Sequence, residues 1–301
     1  MKKLNLNYLE QLEAESIYII REAVAECKSP VMLYSIGKDS SVLLHLARKA
    51  FAPGRLPFPL LHVDTGFKFK EMYEFRDYFI KKIGARLIVE KNQEPAAQQM
   101  RPSEAHTDTY IYYKKTKPLL EAIKKYQFDA AFGGARREEE KSRAKERIFS
   151  LRNEFGVWEP KSQRPELWQL YNTRLNDKET LRVFPLSNWT ELDVWRYIEA
   201  NDIEVVPLYF AQERQVVERN NILVRLDEFT TAEDNETVLN VMCRYRTLGC
   251  SPSTGAILSE ARNVREIIEE LESVKVSERQ TRAIDHSSDS AMEQKKKEGY
   301  F

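Results

Sequence analysis

Cysteine is scarce in this chain and widely scattered. The 301 residues contain three, Cys27, Cys243 and Cys250. An odd number at such spacing argues against a disulfide framework and suits a reducing compartment. No stretch approaches the roughly 20 consecutive apolar residues of a membrane-spanning helix, and the acidic residues before position 16 argue against a signal peptide. We therefore expect a cytoplasmic chain with no membrane partner.

The chain also lacks an excess of charge of either sign. Lysine plus arginine and aspartate plus glutamate both number 47, so the formal net charge is zero. This balance argues against a whole-chain affinity for nucleic acid, although local basic clusters can still bind small anions. Hydrophobic residues make up 42% of the chain, which is ample for a packed core.

Short apolar runs alternate with amphipathic stretches through the first half of the sequence. The predicted strands are residues 31–34, 60–63, 87–89 and 129–132. The predicted helices are residues 8–26, 39–50, 68–82 and 118–126. This alternation predicts an α/β fold, a doubly wound and mostly parallel sheet with helices on both faces.

The alternation fades after about residue 150. A strand at 181–184 and a helix capped by Thr190 are the last clear elements, and residues 212–236 read as charged and peripheral. The polar stretch 275–301 reads as an arm. We therefore predict a nucleotide-binding catalytic domain at 1–210. A less regular C-terminal extension at 211–301 is expected to pack on the substrate site or on a partner.

Three sharp loops follow predicted strands, at residues 35–40, 64–66 and 133–137. In an open parallel sheet, ligands bind at the carboxyl ends of the strands, where such loops gather. We expect all three loops to border one site.

The loop at residues 35–41 has the chemistry of a phosphate site. It links a strand to a helix whose first N–H groups are unpaired and carry the positive end of the helix dipole. Gly37 permits close approach of an anion, three serines offer hydroxyl donors, and Lys38 adds positive charge. The alternative is an ordinary strand–turn–helix junction with an Asp or Ser cap.

Two common nucleotide motifs are missing. The ATPase P-loop requires glycine and Ser/Thr where this chain has Met32 and Asp39, and no G-x-G-x-x-G stretch occurs. The pattern Ser-x-Gly-x-Asp-Ser instead resembles the pyrophosphate loop of the adenine nucleotide α-hydrolase superfamily, with Ile36 in place of the usual glycine. The resemblance implies that ATP is attacked at its α-phosphorus, while residues 35–41 hold the β- and γ-phosphates.

A wider resemblance covers essentially the whole chain. The matching segments are residues 33–40, 60–66, 128–147, 183–190, 246–250 and 299–301. Together they are similar to the small-subunit family of heterodimeric bacterial ATP sulfurylases. That family implies transfer of AMP from ATP to sulfate, giving adenosine 5′-phosphosulfate and pyrophosphate. It also implies a larger, elongation-factor-like GTPase partner.

The loops and the resemblance together nominate the site residues. The expected nucleotide contacts are Leu33, Tyr34, Ser35, Ile36, Gly37, Lys38, Asp39, Ser40, Ser41, Asp64, Thr65, Gly66 and Gly134. Catalytic roles are expected for Lys38, Asp39, Arg136 and Arg137, because charge neutralisation is the main task when two anions react. On one helix, Arg136 and Arg143 would lie two turns apart and share a face; the alternative is a solvated helix, which we accept for Lys145 and Arg147.

Asp39 and Asp64 are the candidate Mg²⁺ ligands, because hard cations take carboxylate oxygens. The alternatives are a helix cap for Asp39 and a turn residue for Asp64. Cys243 and Cys250 are interpreted as packed or loop cysteines, and His45 and His62 as structural.

Two other functions compete with the sulfurylase hypothesis. A phosphoadenylylsulfate reductase would need a nucleophilic cysteine near the C-terminus, and Cys250 is the last cysteine. A non-catalytic ATP-binding subunit would bind ATP but show no sulfate-dependent release of pyrophosphate.

Overall fold

The computed structural model describes residues 7–139 and 141–273. The predicted arm at 275–301 lies outside this part. The helices are α1 (Tyr8–Glu26), α2 (Lys38–Phe51), α3 (Lys70–Ile83), α4 (Pro95–Gln98), α5 (Asp108–Ile111), α6 (Lys117–Tyr126), α7 (Lys141–Ala144), α8 (Glu191–Ala200) and α9 (Val264–Ser273). The strands are β1 (Pro30–Leu33), β2 (Leu60–Val63), β3 (Leu87–Glu90), β4 (Ala130–Phe132), β5 (Phe149–Arg152), β6 (Thr180–Val183), β7 (Gln212–Arg219), β8 (Ile222–Arg225), β9 (Leu239–Arg244) and β10 (Ile257–Leu258). None of the described helices combines the length and the apolar character that crossing a membrane requires.

The main sheet has six strands in the order β3-β2-β1-β4-β6-β5. All its pairings are parallel except that of β5 with β6. The chain runs from β1 outward to β3 and then returns to place β4 on the other side of β1. This reversal leaves a crevice between the carboxyl ends of β1 and β4. The predicted doubly wound, mostly parallel sheet is confirmed.

Apolar side chains cover both faces of this sheet. On one face, α1, α2 and α8 contribute Ile20, Leu46 and Val194 to the main core. On the other face, α6 places Leu119 with Val31 of β1 in a smaller cluster. The central strands β1, β2 and β4 are buried on both sides, which is why they read as short, largely apolar runs.

The expectation that residues 212–236 are merely peripheral is wrong. β7 and β8 belong to a second, four-stranded antiparallel sheet in the order β10-β9-β7-β8. Arg214 occupies an inward position of β7 beside buried Val216 and Val217, and its guanidinium lies 5.6 Å from the ring centre of Tyr245. Because a charged residue fills an inward position, the alternation that marks a strand is hidden in the sequence.

The second sheet is joined to the first part of the chain. The Tyr245 amide donates to the Leu208 carbonyl over 3.1 Å, and the Tyr245 ring lies 4.8 Å from that of Phe69, between centres. Val216 and Tyr245 also belong to the same core cluster as the helices of the main sheet. The division at residue 210 stays a prediction, but residues 212–258 contain the four strands of the second sheet, which packs on the rest.

Candidate active site

A cavity of about 280 Å³ opens at the crevice between β1 and β4. Its walls come from the three loops at the carboxyl ends of β1, β2 and β4, together with residues 247–254, in the connection between β9 and β10 of the second sheet. The expectation that the three loops border one site is confirmed. Of the predicted nucleotide contacts, the lining includes Leu33, Tyr34, Ser35, Gly37, Asp39, Ser40, Thr65 and Gly134.

The loop after β1 delivers the N-terminus of α2 to the cavity. Gly37 is the N-cap and contributes no capping side chain, while the Tyr209 hydroxyl accepts from the first helical amide, that of Lys38. Ser40 Oγ donates to the Gly37 carbonyl over 2.9 Å and accepts from Ser35 Oγ over 3.2 Å. The helix end therefore faces the cavity with its dipole available to an anion.

Ile36 occupies the loop position at which the related pyrophosphate loop has glycine. Its φ is +71°, in the left-handed region that a β-branched residue adopts only under strain. Its side chain is fully buried in the main core. Packing of this side chain holds the backbone in a conformation that glycine would adopt without cost.

Lys38 lies behind the loop rather than in the cavity wall. Its side chain is 1% exposed. Nζ donates to the Arg246 carbonyl over 3.3 Å and lies 3.3 Å from Asp39 Oδ2. The Lys38 amide donates to the Tyr209 hydroxyl over 2.8 Å. Lys38 therefore links the loop at residues 35–41 to the segment that follows β9, at Arg246.

Asp39 connects the loop to the turn after β4. Its Oδ1 accepts from Arg136 Nε over 2.7 Å, and the Arg136 side chain is fully buried. Arg136 also reaches Glu138 Oε2 at 3.1 Å, and that oxygen accepts from the Glu191 amide at the start of α8. A buried guanidinium between carboxylates is a stabilised arrangement, because each charge is compensated.

A final ion pair closes this network into a ring. Arg246 Nη2 donates to Glu191 Oε2, and the Arg246 carbonyl is the acceptor of Lys38 Nζ. The ring passes from the loop at residues 35–41 through the turn after β4 and the first turn of α8 to the segment that follows β9. It ties together four parts of the chain that are far apart in sequence.

The expectation of one helix carrying Arg136 and Arg143 is wrong. Arg136 and Arg137 lie in an irregular turn, and only the four residues of α7 are helical. The Arg137 amide donates to the Ser187 carbonyl, and its side chain donates to Asn188 Oδ1 over 2.5 Å. Arg137 therefore turns away from the cavity, whereas Arg143 lines it.

Asp64 and Gly66 shape the loop after β2 without lining the cavity. Asp64 Oδ1 accepts from the Tyr73 hydroxyl over 2.6 Å and from the Gly66 amide over 2.8 Å. Burial alone would raise the pKa of Asp64, but these two hydrogen bonds bring the pKa below its ordinary value. Gly66 has φ +83°, a conformation that favours glycine. Thr65 is the member of this loop that lines the cavity.

Sequence reasoning missed several residues of the cavity wall. They are His62, Lys68, Lys115, Glu139, Tyr209, Ser253 and Thr254. Lys115 lies on a π-helical turn at Tyr112–Thr116, a type of turn that is common at functional sites. Nothing in the local sequence separates most of these residues from surface charge or core, although His62 and Glu139 lie within the matching segments 60–66 and 128–147.

Cys250 is packed in a small core cluster with Ala105 and Tyr110, as expected of a packed or loop cysteine, and it also lines the cavity. Its Sγ is 3.1 Å from Thr65 Oγ1 and 3.4 Å from the Tyr110 hydroxyl. Burial would raise the pKa of this thiol, but Lys115 and Lys68 bring the pKa below its ordinary value. This end of the cavity is therefore favourable to negative charge.

No group of three or more His, Cys, Asp or Glu side chains suited to a metal ion occurs in the described part of the chain. The carboxylates of the described cavity wall are Asp39 and Glu139. A protein cage for a metal is therefore not built here, although a cation shared with a bound phosphate needs only one or two carboxylates.

The chain matches known proteins over its whole length. The phosphoadenosine phosphosulfate reductase domain family matches residues 29–256. Sulfate adenylyltransferase subunit 2 of Klebsiella pneumoniae subsp. pneumoniae is 58% identical, and that of Baumannia cicadellinicola subsp. Homalodisca coagulata is 56% identical, each with all of both chains covered.

Two solved structures are more distant. Phosphoadenylyl-sulfate reductase from Candida auris has a TM-score of 0.47 and 17% identity, covering 68% of this chain and 92% of its own. FMN adenylyltransferase from Candida glabrata has a TM-score of 0.48 and 11% identity, covering 99% and 91%. Similarity at this level carries no information about substrates.

Proposed function

Because this chain belongs to the phosphoadenosine phosphosulfate reductase domain family, and within it to the sulfate adenylyltransferase subunit 2 proteins, we propose that its cavity transfers AMP from ATP to sulfate. The products are adenosine 5′-phosphosulfate and pyrophosphate. The observation that carries the proposal is the position of the α2 N-terminus, whose N-cap residue Gly37 has no side chain, at the cavity between β1 and β4.

In this proposal the triphosphate lies on residues 35–41, with backbone amides and serine hydroxyls as donors. The backbones of Leu33 and Tyr34, together with Thr65 and Gly134, border the rest of the nucleotide. Sulfate attacks the α-phosphorus in line, and the pyrophosphate leaving group lies at the N-terminus of α2. The reaction needs no covalent nucleophile, so positioning and neutralisation of charge are the protein's main contributions.

The proposed roles of the four catalytic candidates differ in directness. Asp39 faces the cavity, while Lys38 and Arg136 supply positive charge from behind it and hold Asp39 in place. Arg137 has the least direct role, because its guanidinium is held by Asn188 outside the cavity wall.

Mg²⁺ fits one of the two predicted ligands. Asp39 lines the cavity beside the loop at residues 35–41, where its two oxygens also pair with Arg136 and Lys38, whereas Asp64 does not line the cavity. Protein-bound Mg²⁺ commonly takes one or two carboxylates together with substrate phosphates. We propose Asp39 as the carboxylate for a metal held mainly by the triphosphate. When bound, the ion would neutralise charge on the phosphates.

The name of the relatives implies a partner subunit, and we propose that the partner is an elongation-factor-like GTPase. The phosphate–sulfate anhydride is costly to form, and this chain has no Walker A loop with which to use GTP. GTP hydrolysis by such a partner would supply the free energy that formation of the anhydride requires. The proposed compartment is the cytoplasm, consistent with three free cysteines.

The direct test is release of pyrophosphate from ATP by the purified chain, with and without sulfate and with and without a GTPase subunit and GTP. We expect release that depends on sulfate and increases when the GTPase turns over. Nucleotide binding without sulfate-dependent release in the complex would instead support a non-catalytic ATP-binding subunit.

One observation keeps the reductase alternative worth testing. Cys250 lies in the cavity wall with a pKa below that of an ordinary thiol, as a nucleophilic cysteine would. In the proposed sulfurylase it serves only as a wall residue that hydrogen-bonds Thr65 and Tyr110.

Replacing Cys250 by serine separates these roles. Because adenylyl transfer needs no thiol, we expect kcat/KM for sulfate-dependent pyrophosphate release to fall by less than about tenfold, the cost of altering one hydrogen-bonded contact. Loss of a covalent nucleophile would cost on the order of 10³-fold or more. Cys243→Ser is the control, since Cys243 is buried in β9 outside the wall. A collapse specific to Cys250→Ser would contradict the assignment.

A further inference from the structure

His62 is interpreted from sequence as a structural residue, but its surroundings indicate a different role. We propose that His62 Nε2 is a fixed hydrogen-bond acceptor for the adenosine half of the bound nucleotide, and that it contributes to nucleotide specificity. This inference rests on the proposed function, because it assumes that the cavity binds ATP.

The tautomer of His62 is determined by its neighbour. Nδ1 lies 2.8 Å from the Tyr34 carbonyl oxygen, which can only accept a hydrogen bond. Nδ1 must therefore carry the proton. Burial lowers the pKa of His62 to about 3, with Lys68 adding to the effect, so the ring stays neutral at physiological pH. Nε2 consequently presents a lone pair and can only accept.

That lone pair has no partner among the described residues. Nε2 is buried, and no described donor lies within hydrogen-bond distance. The side chain is 1% exposed, yet the residue lines the cavity together with Tyr34 and Ser35. A buried acceptor without a donor is unfavourable, so such groups are generally matched by a ligand or an ordered water.

The chemistry of the two proposed substrates identifies which part would supply the donor. Sulfate and the ionised triphosphate carry acceptors only at neutral pH. The donors of ATP are the exocyclic amine of the base and the ribose hydroxyls, all in the adenosine half. The adenosine half is therefore expected against β2, with the phosphates on the α2 end.

The test compares His62→Phe, which removes the acceptor, with His62→Gln, whose carbonyl oxygen restores one. His106→Ala is the surface control, because His106 is exposed and does not line the cavity. Calorimetry measures binding of ATP, of purine riboside triphosphate, which lacks the amine, and of 2′-deoxy- and 3′-deoxy-ATP. Pyrophosphate release with sulfate is measured separately in the complex with the partner subunit.

We expect wild type and His106→Ala to bind ATP about five- to tenfold more tightly than the analogue that lacks the contacted donor, the effect of one hydrogen bond. In His62→Phe this preference should fall towards one, and His62→Gln should restore part of it. One analogue should bind more weakly than ATP to wild type but equally well to His62→Phe. The group that this analogue lacks, the base amine or a ribose hydroxyl, is the donor to His62. The KM for sulfate should not change.

Two results would overturn the inference. One is wild-type protein that binds all four nucleotides equally, which decides the matter even if His62→Phe does not fold. The other is a folded His62→Phe with the full wild-type preference, which would mean that an internal water satisfies Nε2. Discrimination in binding without sulfate-dependent pyrophosphate release would sustain the inference while refuting the proposed function.

Discussion

Replacing Asp39 by asparagine is expected to lower kcat/KM for ATP by about 10²- to 10³-fold, the usual effect of removing one preorganised polar group from an active site. The substitution keeps the shape of the side chain but removes the charge that faces Arg136 at 2.7 Å and Lys38 at 3.3 Å. It also removes the proposed Mg²⁺ ligand. Sulfate-dependent pyrophosphate release at varied ATP concentration measures the loss.

The same substitution should also lower the free energy of unfolding, by about 1–3 kcal/mol. The reason is that Arg136 is fully buried and loses one of its compensating carboxylates, while Glu138 remains. Urea unfolding measures this effect, and a fold check by circular dichroism separates it from the loss of activity.

Asp129→Asn is the matched control. Asp129 lies just before β4, at the end of the strand that is opposite the cavity. It accepts from the amides of Lys28 and Ser29 over 2.6 and 2.9 Å. Its replacement should lower stability without changing KM for ATP. Full activity in Asp39→Asn would contradict the assignment of the loop at residues 35–41, whatever the control shows.

Replacing Gly134 by alanine is expected to weaken ATP binding by about ten- to a hundredfold. A Cβ at this position would lie 3.1 Å from Asp39 Cβ, 3.2 Å from Asp39 C and 3.3 Å from Ser40 N. Two of these are backbone atoms of the first turn of α2, so the helix end must shift away from the turn after β4. Overpacking of this kind typically costs about 1–3 kcal/mol, and here the shift would move the donors of the phosphate loop.

Gly84→Ala is the control for Gly134→Ala. Gly84 ends α3 with φ +63°, so a side chain there is strained although nothing lies within 4 Å of the new Cβ. Its replacement should destabilise the fold by about 1 kcal/mol and leave ATP affinity unchanged, as measured by calorimetry. Unaltered ATP affinity in Gly134→Ala would mean that the nucleotide does not depend on the position of the α2 N-terminus.

The sheet and its loops could be predicted from sequence because their signals are local. A buried parallel strand is a short apolar run, and the predicted strand at residues 60–63 coincides with β2. Thr190 was expected to cap a helix, and its side chain accepts from the Asp193 amide in a capping box. In each case the residues that decide the conformation are within a few positions of one another.

The second sheet and the role of Cys250 could not be predicted in this way. Arg214 fills an inward position of β7 because it donates to the Cys243 carbonyl on β9 and lies over the Tyr245 ring. Cys250 becomes part of the cavity wall because Thr65, from the loop after β2, lies beside it. These partners are distant in sequence, so their pairing leaves no local pattern.

The loop at residues 35–41 shows the same contrast between local signals and tertiary contacts. Its sequence, read alone, determined a strand–loop–helix unit with an anion site at the helix N-terminus, because Gly37 and the serines act through their own backbone neighbourhood. Only the tertiary structure decided that Lys38 and Arg136 stand behind the cavity rather than in it. Their partners, the Arg246 carbonyl and Asp39, are brought to them across 208 and 97 positions of the chain. A long charged side chain goes where its charge is best compensated, and that depends on contacts that exist only once the chain has folded.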